Sequence, residues 1–370
     1  MTSASDFQLS DLPLRDDLVG LEPYGAPQIE VPVRLNVNES AFDVPDAVVE
    51  SVVERIRSAT KGANRYPDRE FTRLRELLAD YVGEGVAPEQ IWAGNGSNEV
   101  LQHVLQAFGG PGRTLLSFSP TYSMYPLLAQ GIAMDYVAAP RRDDFTVDAE
   151  LVREAVAEHD PDIVFLCGPN NPTGTPLDPA AITAALESRA IVVVDEAYVE
   201  FATDRSRTAV SLLPEHPRLL VSRTMSKAFA FAGVRLGYLI AHPAVTDALR
   251  LVRLPYNLSA LTQAAACAAL EHSDIMLAQV DELRAQRDRL ETGLRELGLA
   301  PHPSDSNFVL VGGIDDPQRV FEALLAEGVL VRNVGLPGTL RITAGTHDET
   351  SAVLAAMAKA TGRVEPSQDA

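Results

Sequence analysis

Lysine is nearly missing from this chain of 370 residues. Of 31 basic side chains only Lys61, Lys227 and Lys359 are lysines; the other 28 are arginines. A protein that uses arginine wherever a solvated positive charge will do has nevertheless set Lys227 among small and apolar residues, in SRTMSKAFAFAGVRLGY (222–238). Cysteine is scarce as well. Cys167 and Cys267 lie far apart in sequence and read as buried free thiols of a reducing compartment rather than as a disulfide. Neither CxxC nor HExxH spacing occurs, so no metal site is expected. No apolar run approaches the ~18 residues that span a bilayer. The opening MTSASDFQLSDLPLRDD lacks the charged-then-apolar layout of a secretory leader, so a cytoplasmic protein is expected. Positive charge is in deficit overall: a net −20 excludes nucleic acid and anionic membrane as partners, since both would repel the chain, while leaving room for a local basic pocket.

What is present is an alternation of strand-length apolar runs with amphipathic helical patterns. DIVFLC (162–167), AIVVVDEAY (190–198), RLLVSR (218–223) and RLGYLIA (235–241) are almost continuously apolar, the look of parallel strands covered on both faces. Helical spacing follows GNGSNEV, where Leu101, Val104, Leu105 and Phe108 recur, and returns over 148–158 and 178–187. This βα alternation implies an α/β fold, a mostly parallel open sheet between helices. After about residue 255 the pattern changes. A long helix is expected over 274–297, with Val280, Leu283, Leu290, Leu294 and Leu297 on one stripe. Arg287 interrupts that stripe, which reads as a packing surface rather than a coiled coil. SNFVLVG, PQRVFEALLAEG, VLVRNV, TLRITAG and HDETSAVLAAMAKA then spell strand, helix, strand, strand and helix. The expected organisation is an arm over 1–34, a large domain over 35–255 and a smaller α+β domain over 256–370. The first ten or so residues and the closing VEPSQDA read as frayed tails.

Four polar features fall where such sheets bind ligands, beyond the carboxyl ends of strands. Asp195 closes AIVVVD and is either a site carboxylate or a helix cap. Asn171 lies in PNNPTG (169–174), whose Asn-Pro and Thr-Gly pairs force a turn; it is a second polar group at a strand end, or part of an ordinary connection. GNGSNEV (94–100) places Ser97 and Asn98 at a helix start, where free N–H groups and the positive dipole end suit a phosphate. It lacks both the GxGxxG spacing and the Walker lysine, so neither a dinucleotide site nor a P-loop is supported. SRTMSK groups Thr224, Ser226 and Lys227, with Arg235 beyond them; hydroxyls and a guanidinium again suit a phosphate. An amine among apolar neighbours loses part of its tendency to protonate and becomes a usable nucleophile and base. The other reading of Lys227 is a snorkelling surface residue, and the scarcity of lysine weighs against it. A lysine, an acid and a phosphate cradle are together what pyridoxal phosphate needs.

Taken as a set, GNGSNE, PTYSMY, NNPTG, VDEAYVEF, SRTMSKAFAFAGVRLGY, SNFVLV and LRITAGT resemble the fold-type I pyridoxal-phosphate aminotransferases. LEPYGAPQ, LNVNES, NRYPD and LVRLPYNLSALTQ are similar to the histidinol-phosphate branch of that family, and the resemblance runs from about residue 10 to 360. It implies that Lys227 bonds the cofactor covalently and shuttles the substrate proton, and that Asp195 pairs with the pyridinium nitrogen. It also implies that Asn171 and Tyr198 hydrogen-bond the ring's phenolic oxygen and that Tyr122 stacks on the ring. Ser97, Asn98, Thr224, Ser226 and Arg235 would hold the phosphate. Tyr66 would reach it from a neighbouring subunit, so that the active unit is a homodimer with two shared sites.

For substrate, the resemblance assigns Arg332 and Arg341 to anions and lines the pocket with Tyr24, Asn36 and Tyr256. Histidinol phosphate carries a phosphate and no carboxylate, whereas glutamate carries two carboxylates; an arginine fork serves either. The implied activity moves an amino group between L-histidinol phosphate and 2-oxoglutarate, in histidine biosynthesis. An aromatic aminotransferase is the nearest rival, since it would share every cofactor residue. A threonine-phosphate decarboxylase-like lyase is more remote, and a cofactor-sensing regulator would need a DNA-binding module for which no residues are left. The sequence departs from the family after LNVNE, where Ser-Ala-Phe replaces a turn that more often contains proline.

Overall fold

A computed structural model of the chain describes residues 7–363, apart from Tyr24 and Ala26. Tyr24 and the VEPSQDA tail therefore lie outside the described residues. Met1–Glu30 forms a unit of its own, in which Leu9–Asp11 and Asp16–Leu18 make short 3-10 turns. The remainder, Val31–Ala370, carries the fold.

Its strands are β1 (Val33–Arg34), β2 (Ile91–Gly94), β3 (Thr114–Ser119), β4 (Asp135–Pro140), β5 (Ile163–Cys167), β6 (Ile191–Asp195), β7 (Leu219–Thr224), β8 (Gly237–Ala241), β9 (Ala300–Pro301), β10 (Phe308–Gly312), β11 (Val329–Leu330) and β12 (Leu340–Thr343). Seven of them form one sheet in the order β2-β8-β7-β6-β5-β3-β4. Helices including Ser97–Phe108, Ala149–His159 and Pro179–Leu186 connect its strands, much as the spacing predicts. All pairings are parallel except those of β8, which runs antiparallel to both β2 and β7.

The parallel reading of RLGYLIA is thus corrected. A continuous apolar run reports burial on both faces, and all five residues of β8 are buried; it says nothing of direction. Direction comes from the connection. Between Thr224 and Gly237 the chain turns back on itself, with Met225 N donating to Leu236 O (3.0 Å) and Phe231 N to Met225 O (3.1 Å). No crossover helix intervenes, so the returning strand can only pair antiparallel.

The second sheet has β10 between β12 and β9, both antiparallel to it. VLVRNV is strand only over β11, which pairs in parallel with β1, three hundred residues earlier in the chain; it touches β12 through a single Arg332–Arg341 bridge.

Two cores result. The larger lies on the seven-stranded sheet and includes Val104, Leu116, Val164, Val193, Val221 and Ile240; the smaller includes Leu290, Leu294, Val309, Ile342, Val353 and Met357. The helix Ser273–Glu296 serves both, giving Met276, Val280 and Leu283 to the first and Leu290 and Leu294 to the second. Arg287, the break in its stripe, is buried between them and donates to the carbonyls of Phe201 (3.1 Å) and Ser306 (3.3 Å). A boundary at residue 255 stays a proposal; by side-chain packing the first core continues through Leu283. Both cysteines are free and buried.

Candidate functional site

Parallel strands bring their carboxyl ends to one edge of a sheet, and the segments beyond β2, β3, β5, β6 and β7 carry Ser97, Tyr122, Asn171, Tyr198 and Lys227 respectively. Because β8 is reversed, its amino end joins that same edge, and Arg235 precedes it. Gly237 stands in register with both Gly94 and Thr224.

Helices starting at Ala149, Pro179, Ala260, Pro317 and His347 are each capped by the preceding side chain (Asp148, Asp178, Ser259, Asp316 and Thr346). The helix Ser97–Phe108 is not, nor are those starting at Asp46, Thr72, Met124 and Ser273. Ser97–Phe108 starts from Gly96, at φ +81°, with no side-chain cap. The Arg235 guanidinium covers this start: a Cβ on Gly96 would fall 2.3 Å from Arg235 Nη2. Arg235 is itself held at φ +61°, a costly conformation for a residue with a side chain. Its Nη1 donates to Ala232 O (3.1 Å) and lies 3.5 Å from Ser226 Oγ. Thr224 Oγ1 is 3.0 Å from Ser226 Oγ and accepts from Ser226 N at 3.1 Å. An uncapped helix start, two hydroxyls and a guanidinium converge here, a donor set for a phosphate-sized anion. The start also depends on Gly237, where a Cβ would lie 2.1 Å from Ser97 N.

Asp195 ends β6 almost wholly buried, at 3% exposure. One carboxylate oxygen accepts from Tyr125 Oη at 2.8 Å, and the other has no hydrogen-bond partner among the described residues. Burial, opposed by the Tyr125 hydrogen bond, lifts its pKa to about 6. A buried carboxylate with one oxygen left over is waiting for a donor, preferably a cationic one. Tyr125 is a residue that the sequence reading missed; the only signal was a second tyrosine in PTYSMY. Tyr122 donates to Asn98 Oδ1 (3.2 Å) and meets Tyr125 edge-on, with ring centroids 5.5 Å apart.

Lys227 Nζ donates to Val37 O at 2.9 Å. Burial first, then the Arg341 guanidinium, lowers its pKa from 10.5 to about 8, with Glu39 acting the other way. Arg341 is buried over the Phe308 ring (5.2 Å) and donates to Asn171 Oδ1 (2.7 Å) and Asn36 O (2.6 Å). Arg332 contributes only its backbone to the described hydrogen bonds, pairing with Arg341. Tyr198 Oη accepts from Asn38 Nδ2 at 2.9 Å and lies 3.5 Å from Asn171 Nδ2. Burial pushes the Tyr198 phenol upward. In LNVNES the side chain that reaches this cluster is therefore Asn38, which sequence reasoning passed over, while Asn36 offers its carbonyl. Tyr66 stands apart, 80% exposed and stacked on Tyr256 at 4.4 Å. In the 39–43 loop, Ser40 Oγ accepts from Phe42 N (3.2 Å), an ST-turn in place of the proline turn.

Among the described residues no helix is long and apolar enough to cross a membrane, and no cluster of metal-ligating side chains occurs.

Residues 30–357 match the family described as Aminotransferase class I and II. The chain is 57% identical to a histidinol-phosphate aminotransferase of Paenarthrobacter aurescens, over 95% of each sequence. It is 54% identical to that of Thermobifida fusca, over 96% of this chain and 98% of the relative. Among solved structures it is similar to the histidinol-phosphate aminotransferase of Sinorhizobium meliloti in complex with pyridoxal-5'-phosphate (TM-score 0.82, 27% identity, 90% of this chain and 92% of the other). It is also similar to the aspartate aminotransferase of Thermus thermophilus with maleate (TM-score 0.76, 27% identity, 89% and 92%).

Proposed function

The chain belongs to the class I and II aminotransferases, in the branch of the histidinol-phosphate enzymes, and on that premise we propose that it moves the amino group of L-histidinol phosphate to 2-oxoglutarate with pyridoxal phosphate as cofactor. The observation that carries the cofactor is Asp195: a buried carboxylate whose second oxygen lacks a donor among the described residues, at the edge that also holds Lys227 and an uncapped helix start. Those residues fit the group. Arg235, Thr224, Ser226, Ser97 and Asn98 would hold its phosphate, Asp195 its ring nitrogen, Tyr122 its ring face, and Asn171 and Tyr198 its phenolic oxygen.

When bound, pyridoxal phosphate supplies an electron sink for bond breaking at the amino-bearing carbon. The Asp195 carboxylate keeps positive charge on the ring nitrogen. Lys227, whose pKa burial lowers to about 8, would supply the amine that holds the group and, once freed, the base that takes and returns a proton at the substrate carbon. Arg341 orients Asn171 and offers a planar fork to the substrate's anionic group. Arg332, Asn36 and Tyr256 complete the proposed substrate set.

A cytoplasmic homodimer is part of the same reading. Tyr66, Leu251 and Leu254 are each 77–86% exposed, large side chains that a second subunit would cover while Tyr66 reached across to its site.

The purified protein is expected to be yellow and to bleach with L-glutamate, and to prefer L-histidinol phosphate over L-phenylalanine as donor to 2-oxoglutarate. A preference for phenylalanine removes the substrate assignment; a colourless protein that ignores added cofactor removes the whole reading. Arg341→Ala is expected to raise the KM for glutamate roughly 10- to 100-fold, the worth of a charged hydrogen-bond pair. Steady-state kinetics decide it: an unchanged KM with a lower melting temperature makes Arg341 a strut and no substrate clamp.

A further inference from the structure

Asn38, in LNVNES, was given no role from sequence, yet backbone and side chain together tie it to Thr343, Asn307 and Tyr198. It is 1% exposed and sits at φ +58°, a region that asparagine tolerates better than most residues. Four hydrogen bonds hold it. Its N–H donates to Thr343 Oγ1 (3.1 Å), its carbonyl accepts from Asn307 Nδ2 (3.1 Å), its Oδ1 accepts from Thr343 Oγ1 (3.0 Å), and its Nδ2 donates to Tyr198 Oη (2.9 Å). The amide therefore has a defined sense. The Thr343 hydroxyl accepts from the Asn38 backbone and donates its proton to Oδ1, which turns Nδ2 toward Tyr198. Asn171 is oriented in the same way from the other side. Arg341 can only donate, so it takes Asn171 Oδ1 and leaves Asn171 Nδ2 facing the same phenol at 3.5 Å.

A phenol has one proton and two lone pairs. Both neighbours that reach Tyr198 Oη present N–H groups, and among the described residues nothing accepts its proton. We propose that Asn38 is a positioning residue that fixes the direction of the Tyr198 proton: by occupying the acceptor side of the oxygen it leaves Tyr198 able to act only as a donor toward the bound ring. The proposal rests on the cofactor reading above. Besides Asn38 and Asn171, the charged and titratable groups that face Tyr198 are Arg341, Tyr122 and Cys167, and none of these is a hydrogen-bond acceptor for it. A donor aimed at the ring's phenolic oxygen favours its anionic form, so the pH at which the visible band of the holoprotein titrates reports the direction of that proton.

The test is Asn38→Asp, whose carboxylate can only accept and so would pull the Tyr198 proton away from the ring. In the holoprotein the midpoint of the visible-band titration is expected to rise by about one pH unit or more. The added charge would move the midpoint on its own, so the same substitution is made beside Tyr198→Phe, where there is no proton to steer. There the shift is expected to shrink to a small fraction. Equal shifts in the two backgrounds overturn the proposal. If Asn38→Asp does not fold, Thr343→Val, which removes the group that orients the Asn38 amide and adds no charge, is expected to raise the midpoint in the same direction; an unmoved midpoint overturns the proposal. Wild-type protein without any visible band overturns the cofactor reading and this inference together, a result distinct from equal shifts in a coloured protein.

Discussion

Lys227→Ala is expected to reduce transamination by at least about 10⁴-fold, the larger end of what a single positioned acid–base group supplies. The same side chain would also make the covalent link. Two measurements separate these roles from a structural one. First, the visible absorbance of lysine-linked cofactor should vanish, while equilibrium dialysis should still show cofactor held through Arg235, Thr224, Ser226 and the open helix start. Second, the melting temperature of the apoprotein should not fall. Burial and the facing Arg341 guanidinium make a charged ammonium costly here, as the drop from 10.5 to about 8 records. A group whose folded pKa is depressed in this way weakens the fold increasingly as pH falls below 10.5, fully so below about 8, and alanine removes that cost. A variant that keeps its colour, or keeps more than a few per cent of its activity, would remove Lys227 from the centre of the site.

Asp195→Asn carries the second large effect, and it splits function from stability. Asparagine still accepts from Tyr125 but cannot balance a positive ring nitrogen. Leaving a buried charge without its partner costs about 3–5 kcal/mol, so kcat should fall roughly 10²- to 10⁴-fold. In the apoprotein the sign reverses. The folded pKa of Asp195, about 6, lies above its ordinary 3.8, so the folded state binds the proton more tightly than the unfolded one. Its contribution to stability is present below pH 3.8 and is lost as pH rises through 6. The gap from 3.8 to about 6 corresponds to about 3 kcal/mol. Urea unfolding of apoprotein at pH 4 and pH 7 should thus show the wild type losing up to that much relative to Asp195→Asn. Parallel pH profiles for the two proteins would mean that Asp195 does not carry a buried charge without a partner.

The proposed cofactor set could be assembled from sequence because its residues follow strand ends announced locally: IVVV before Asp195, LCGPN before Asn171, VSRTMS before Lys227. The reversal of β8 was not, because apolar continuity records burial and is blind to direction. β4 was missed for the opposite reason. As an edge strand it is only partly buried, and DYVAAP has no continuous apolar signal. Asn38 and Tyr125 could not have been found from their own surroundings. Their partners, Tyr198 and Asp195, lie 160 and 70 residues away, and only the folded chain brings them together. The pairing of β11 with β1 is of the same non-local kind.

The return of the chain between β7 and β8 has a thermodynamic consequence of its own. Lys227 and Arg235 lie on one tight loop whose two ends are bonded to each other through Met225 and Leu236. A ligand gripped at both points is chelated by a single rigid element, so whenever one grip opens the other keeps the freed end at high effective concentration beside its partner. A ligand held by Lys227 and Arg235 would thus stay on the loop while either grip changed partner. A lengthened 225–236 segment would keep every residue that touches the ligand and still leak it.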